Sequence, residues 1–142
     1  MKRKRILIAD RDKDVARSIG ETLKDEYSVL YVRDGRLIER VVRESQVDLL
    51  LTDINLPHIS FYSTLQKIKT EFPGLPVIIM YVYCDCPAEM ENNIRRMADA
   101  TYLKPFDVVD LKKRIDELLY PSGKEIGEKP IFPRIPENQV VD

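Results

Sequence analysis

Two hydrophobic periods alternate along the chain from its start to about Tyr120, and no other feature restricts the fold as tightly. Short apolar runs bounded by turn residues predict five strands: Arg5-Ile6-Leu7-Ile8-Ala9, Ser28-Val29-Leu30-Tyr31-Val32, Asp48-Leu49-Leu50-Leu51-Thr52, Val77-Ile78-Ile79-Met80-Tyr81 and Ala100-Thr101-Tyr102-Leu103. Between them, apolar residues recur at helical spacing. They are Val15, Ile19, Thr22 and Leu23 in a first helix, Leu37, Ile38, Val41 and Val42 in a second, and Leu65, Ile68 and Phe72 in a third. Pro87 to Met97 forms a weaker fourth, and Val108, Leu111, Ile115, Leu118 and Leu119 stripe the fifth. Strands alternating with helices predict βαβ units around a parallel sheet. Runs such as Leu49 to Leu51 and Val77 to Met80 do not alternate with polar residues, so they are expected at the centre, covered on both faces.

Composition sets the frame for this reading. With 142 residues, 44% hydrophobic and 33% charged with a net charge of -1, the chain suits one compact domain. It is neither a disordered sequence nor a polycation shaped for nucleic acid. The longest apolar stretch, Val77 to Cys84, falls far short of the roughly 20 residues that cross a membrane. Lys2-Arg3-Lys4-Arg5 is followed by too short an apolar run for a signal peptide, so a cytoplasmic protein is expected. Two cysteines exclude a disulfide framework, and their thiols are expected to be reduced. Beyond Tyr120 the prolines at 121, 130, 133 and 136 and the absence of an apolar period predict a domain over residues 1–120 and a flexible tail over 121–142.

In an open parallel sheet the ligand site lies beyond the carboxyl ends of the strands, where the strand order reverses. That rule selects Asp10-Arg11-Asp12 after strand one, Asp53-Ile54-Asn55 after strand three, Val82-Tyr83-Cys84 after strand four and Lys104-Pro105 after strand five. Three carboxylates gathered at one edge repel one another unless a divalent cation or a lysine ammonium compensates.

Leu51-Thr52-Asp53-Ile54-Asn55-Leu56-Pro57 and Lys104-Pro105-Phe106-Asp107 closely resemble the receiver domains of two-component response regulators, and the resemblance covers about residues 4–120. It implies a flavodoxin-like (βα)5 three-layer sandwich with strand order 2-1-3-4-5. By position it makes Asp53 the phosphate-accepting nucleophile and Lys104 the ammonium that holds the aspartyl phosphate. It also implies Mg²⁺ held by Asp10, Asp12, Asp53 and the backbone carbonyl of Asn55. The partners it implies are a histidine kinase or phosphotransfer protein and an output protein. Arg114 resembles the arginine that pairs receivers through the helix four, strand five, helix five face, so a homodimer is a further expectation. Neither nucleic-acid binding nor membrane insertion is expected.

Four positions and one loop depart from the family's pattern. Arg11 stands where a direct metal ligand is usual. It repels Mg²⁺, substitutes for it as a fixed cation, or points outward while Asp12 takes over the ligation; a cation within the site is expected to weaken Mg²⁺ binding. Tyr81 replaces the Thr or Ser whose hydroxyl moves to the phosphoryl group, and Val82 replaces the small residue after it. The aromatic switch position, three residues before the lysine, is Thr101, or Tyr102 with a one-residue slip. The loop Pro57-His58-Ile59-Ser60-Phe61 lacks the usual glycines.

Simpler roles stand beside these. Asp12 precedes a helical period and suits an N-cap. Lys2 to Arg5, and Arg95, Arg96, Lys112, Lys113 and Arg114, suit solvated surfaces. Cys84, Cys86 and His58 lie on loops at the same edge, where they suit free thiols, zinc or a redox pair. Two readings follow. One is a stand-alone receiver phosphorylated on Asp53 that signals through protein contacts. The other is a pseudo-receiver used for docking or dimerisation without phosphate. The lack of a glycine-rich phosphate loop or nucleophile–base pair argues against an enzyme.

Overall fold

Apolar residues on successive strand positions divide cleanly between two faces, and the computed structural model shows both covered. It describes residues 2–83 and 86–122. The elements are β1 (Arg5–Ala9), α1 (Lys13–Leu23), β2 (Ser28–Val32), a 3-10 turn (Gly35–Leu37), α2 (Ile38–Glu44), β3 (Leu49–Asp53), α3 (Phe61–Glu71), β4 (Val77–Tyr81), α4 (Ala88–Met97), β5 (Ala100–Leu103) and α5 (Val108–Leu119). All neighbouring strands pair in parallel, in the order β2-β1-β3-β4-β5. This is the expected flavodoxin-like three-layer arrangement.

Strand alternation builds the two cores. Leu7, Leu50, Val77 and Ile79 pack with Ile38 and Val42 of α2, Leu65 and Ile68 of α3 and Ile94 of α4. The intervening residues Ile6, Ile8, Leu49, Leu51, Ile78 and Met80 pack with Ile19 and Leu23 of α1 and Leu111 and Ile115 of α5. Burial of these large aliphatic groups contributes about 1.5–3 kcal/mol each and fixes the strand register, since a one-residue slip would turn every such group to the other face.

Some local expectations shift. β3 starts at Leu49, not Asp48. The Asp48 carboxylate accepts the Arg5 backbone N–H at 2.7 Å, which ties down the loop before the strand, and the strand extends to Asp53. Leu37 is 42% exposed and belongs to the 3-10 turn that precedes α2, so the apolar stripe begins at Ile38. Pro87 is the N-cap of α4, whose helical residues start at Ala88.

The basic N-terminal segment is not simply solvated. Arg3 donates to the Lys24 carbonyl at the end of α1, Lys4 to the Leu119 carbonyl of α5 at 3.1 Å, and Arg5 to the Ser45 carbonyl after α2. Helix C-termini present unpaired carbonyls and the negative end of the helix dipole, which is why three successive cations settle there. Lys4 also lies 5.0 Å from the Tyr120 ring centre. Pro121 and Ser122 are exposed, and the remainder of the expected tail lies outside the described residues.

Candidate functional site

Three side chains meet at the carboxyl edge of the sheet because three strands end there. Asp10 directly follows β1, and its backbone N–H bonds to the Val32 carbonyl of β2 at 3.1 Å. Its carboxylate is 1% exposed, with Oδ1 accepting the Asp12 N–H at 2.9 Å. Asp53 ends β3, and its Oδ1 accepts the Asn55 N–H at 2.8 Å. Lys104 follows β5 at a cis Lys104–Pro105 bond, and its backbone N–H reaches the Tyr81 carbonyl at 2.8 Å. Its Nζ lies 2.7 Å from Asp10 Oδ2 and 2.7 Å from Asp53 Oδ2. Burial disfavours the ammonium, but its bonds to Asp10 and Asp53 outweigh that cost and raise the Lys104 pKa above its ordinary value.

Two carboxylates therefore share one cation, and the cluster keeps one net negative charge. Its donors are all oxygen: the Asp10 and Asp53 carboxylates, with the Asn55 carbonyl nearby in sequence. That donor set fits a hard divalent cation, since Mg²⁺ uses one or two carboxylates together with phosphate oxygens. Asp12 has a capping role through one of its two carboxylate oxygens, which leaves the other for a cation. Its Oδ1 accepts the Asp14 and Val15 N–H groups at 3.0 and 3.3 Å, which makes it the N-cap of α1. Among the described residues no group of three His, Cys, Asp or Glu side chains is arranged to hold a metal. The Arg11 side chain is exposed and makes no ion pair with Asp10, Asp12 or Asp53. It lines a groove of about 350 Å³ with Asn55, Leu56, Pro57 and Met90. The cation that touches Asp53 is Lys104.

The other singled-out residues sit around this centre. Asn55 Nδ2 donates to the Tyr83 carbonyl at 2.7 Å, joining the loops after β3 and β4. Tyr81 packs against the core shared with α3 and α4, and the Arg95 guanidinium lies 4.5 Å from its ring centre. Val82 is 61% exposed. Thr101 accepts from Arg95 at 3.4 Å. Tyr102 faces the opposite core, edge-on to Phe106 at 5.6 Å, so it shares no face with Tyr81. His58 adopts a left-handed φ of 70°, in the loop where glycines were missing. Cys86 is disulfide-bonded, which corrects the expectation of reduced thiols and removes its thiolate from any zinc site; a low cysteine count excludes a framework, not a single bond. Cys84 lies outside the described residues. Arg114 pairs within the chain, with Glu117 at 3.2 Å and the Asp99 carbonyl at 3.3 Å.

Sequence reasoning missed Arg95, which was assigned to a solvated helix face. The available signal was Tyr81 itself: an aromatic ring at a strand end beside a basic helix suits a cation over its face.

The model of the response regulator receiver domain matches residues 6–116. The chain belongs to the response regulator receiver family. It is 29% identical over 94 residues to the two-component response regulator ARR8 of Arabidopsis thaliana, covering 65% of this chain and 41% of that protein. It is 25% identical over 119 residues to the probable transcriptional regulatory protein TcrX of Mycobacterium tuberculosis, covering 83% and 50%. Among solved structures, the CheY-like receiver domain protein of Methanospirillum hungatei superposes with a TM-score of 0.74 at 28% identity, covering 83% of this chain and 94% of that one. The chain spans half or less of the length of these two curated relatives. Receivers are signalling modules, generally non-enzymatic, that interact with histidine kinases and output domains and typically bind Mg²⁺ at the phosphorylation site. No helix among the described residues is long and apolar enough to cross a membrane.

Proposed function

We propose that this receiver accepts a phosphoryl group on Asp53 from the phosphohistidine of a histidine kinase or phosphotransfer protein and signals through protein contacts. The observation that carries this reading is the 2.7 Å contact of Lys104 Nζ with Asp53 at the end of β3. An Asp53 carboxylate oxygen attacks phosphorus, the phosphorus–nitrogen bond breaks, and the imidazole leaves with the electron pair. Lys104 is already charged and placed to balance the added anion, and Asp10 keeps it at the site. Asp10, Asp53 and the Asn55 carbonyl would hold Mg²⁺, which supplies further charge neutralisation when bound. The exposed cation at position 11 makes that binding weaker than in a receiver with two adjacent acids.

Incubation with phosphoramidate and Mg²⁺, followed by intact-mass measurement, tests the assignment. Wild type gains one phosphoryl group and Asp53→Asn gains none. Equal modification of both proteins overturns Asp53 as acceptor.

Arg11 and Tyr81 favour a second reading, a phosphate-independent docking module. No modification of wild type at any Mg²⁺ concentration, together with unchanged partner binding in Asp53→Asn, supports it. Homodimerisation through α4, β5 and α5 remains part of the proposal, with Leu103 and Val109 exposed on that side at 57% and 63%. A concentration series by sedimentation, with Arg114→Ala as control, tests it.

A further inference from the structure

The two switch positions carry each other's residue types. Tyr81 stands where a Thr or Ser is usual, and Thr101 stands where an aromatic is usual. One side chain of α4 touches both. Arg95 lies 4.5 Å from the Tyr81 ring centre and donates to Thr101 Oγ1 at 3.4 Å, while its Nε and Nη2 bond to Glu91 Oε2 at 3.1 and 2.9 Å.

We infer that Tyr81, Arg95 and Thr101 form a latch that fastens α4 to β4 and β5 in place of a hydroxyl–aromatic switch, and that a phosphoryl group on Asp53 acts by opening it. The second half rests on the phosphoacceptor reading.

The apolar anchor of α4 is small: Ile94 is its one buried residue, Met90 and Met97 are half-buried against the same core, and its N-cap Pro87 makes no side-chain capping bond. An element with so little burial lies at the low-stability end of a domain, so one cation over one ring decides much of its attachment. The latch can open without stranding a charge. Arg95 is 34% exposed on its side chain and keeps Glu91 as partner when it leaves the ring, which avoids a buried unpaired cation and keeps the two arrangements close in energy.

A direct connection runs from the acceptor to the latch. Lys104 holds Asp53 through Nζ and Tyr81 through its backbone N–H. A phosphoryl group adds charge and three acceptor oxygens beside Nζ, so Lys104 must readjust, and the residue it pulls on is Tyr81.

Hydrogen exchange of the full chain, read by mass spectrometry on peptides spanning residues 88–97, tests this. Without any phosphate analogue, Arg95→Ala should exchange on the order of fivefold faster than wild type in α4. Tyr81→Leu, which keeps an apolar side chain and removes the ring, should do the same, and it serves if Arg95→Ala fails to fold. Tyr81→Phe keeps the ring but removes the hydroxyl that bonds to Arg95, so it should fall between wild type and Tyr81→Leu. Beryllofluoride with Mg²⁺ should bring wild type to the Arg95→Ala rate and leave Arg95→Ala unchanged. Equal α4 exchange in wild type, Arg95→Ala and Tyr81→Leu overturns the latch. An analogue-induced change that persists in full in Arg95→Ala overturns its role in signalling. Fluorine NMR separates the two readings: if wild type binds no beryllofluoride, the phosphoacceptor reading falls together with the coupling, and the analogue-free comparison still decides whether the latch exists.

Discussion

The two edges of the sheet are both rich in charge, yet they use it in opposite ways. At the carboxyl edge charged side chains meet each other: Lys104 bridges one oxygen each of Asp10 and Asp53, whose other oxygens hold main-chain N–H groups. At the amino edge charged groups bind mostly main chain: Arg3, Lys4 and Arg5 take helix carbonyls, Lys69 takes the Leu75 carbonyl at 2.9 Å, and Asp48 and Asp99 take the strand N–H groups of Arg5 and Val77, with one long ion pair between Lys69 and Asp99 at 4.0 Å. Backbone partners are fixed by the fold, so the amino edge is structural. Side-chain partners exchange when a new anion arrives, so the carboxyl edge is the responsive one.

The comparison breaks most readily at Lys104. Lys104→Met leaves Asp10 and Asp53 adjacent with no cation, and breaking a buried pair in this way should destabilise the domain by about 3–5 kcal/mol, measured by urea unfolding near neutral pH. In wild type the sign of the pH dependence is set by the raised lysine pKa. The ammonium's contribution is complete below the unfolded lysine's ordinary value of 10.5 and is lost as pH rises through the higher folded value. A variant as stable as wild type would mean that the carboxyl edge is no more charge-dependent than its counterpart.

A smaller effect concerns ligand charge at the same edge. Arg11→Asp should tighten Mg²⁺ binding about tenfold, or about 1.4 kcal/mol, in titration calorimetry. Unchanged binding would place Arg11 outside the site's field.

At the amino edge, Lys4→Ala and Arg5→Ala should each cost about 1 kcal/mol, and their effects should add because they serve different helices. Neither should alter beryllofluoride affinity. A change in that affinity would show that the two edges are not separable.

The smallest effects are at two non-glycine residues with left-handed φ, one at each edge: Gln46 at 53° after α2 and His58 at 70° after β3. Glycine removes the Cβ clash but adds unfolded-state freedom, so each substitution should stabilise by about 0.5–1 kcal/mol in thermal unfolding. A gain at Gln46 alone would indicate that His58 has side-chain contacts worth its strain.

The sheet was legible because hydrophobic period reports burial directly, and Asp53 and Lys104 were legible because the ends of those strands are where ligands bind in such folds. What stayed hidden depended on partners distant in sequence. Arg95 and Arg3 to Arg5 read as solvated charges, since periodicity places a residue on a helix face or beside a strand but does not say what lies opposite. Leu37 was read into the core because a 3-10 turn before α2 shifts its direction relative to the helical stripe. The disulfide at Cys86 was one of three open readings, because counting cysteines bounds how many bonds exist, not whether one forms.

The bond from Lys4 to the Leu119 carbonyl joins residues 115 apart in sequence. The two ends of the βα series are thus fastened to each other directly, so the amino edge closes only once α5 has packed against the sheet, and a cut anywhere between β1 and α5 would leave that Lys4 charge without its carbonyl.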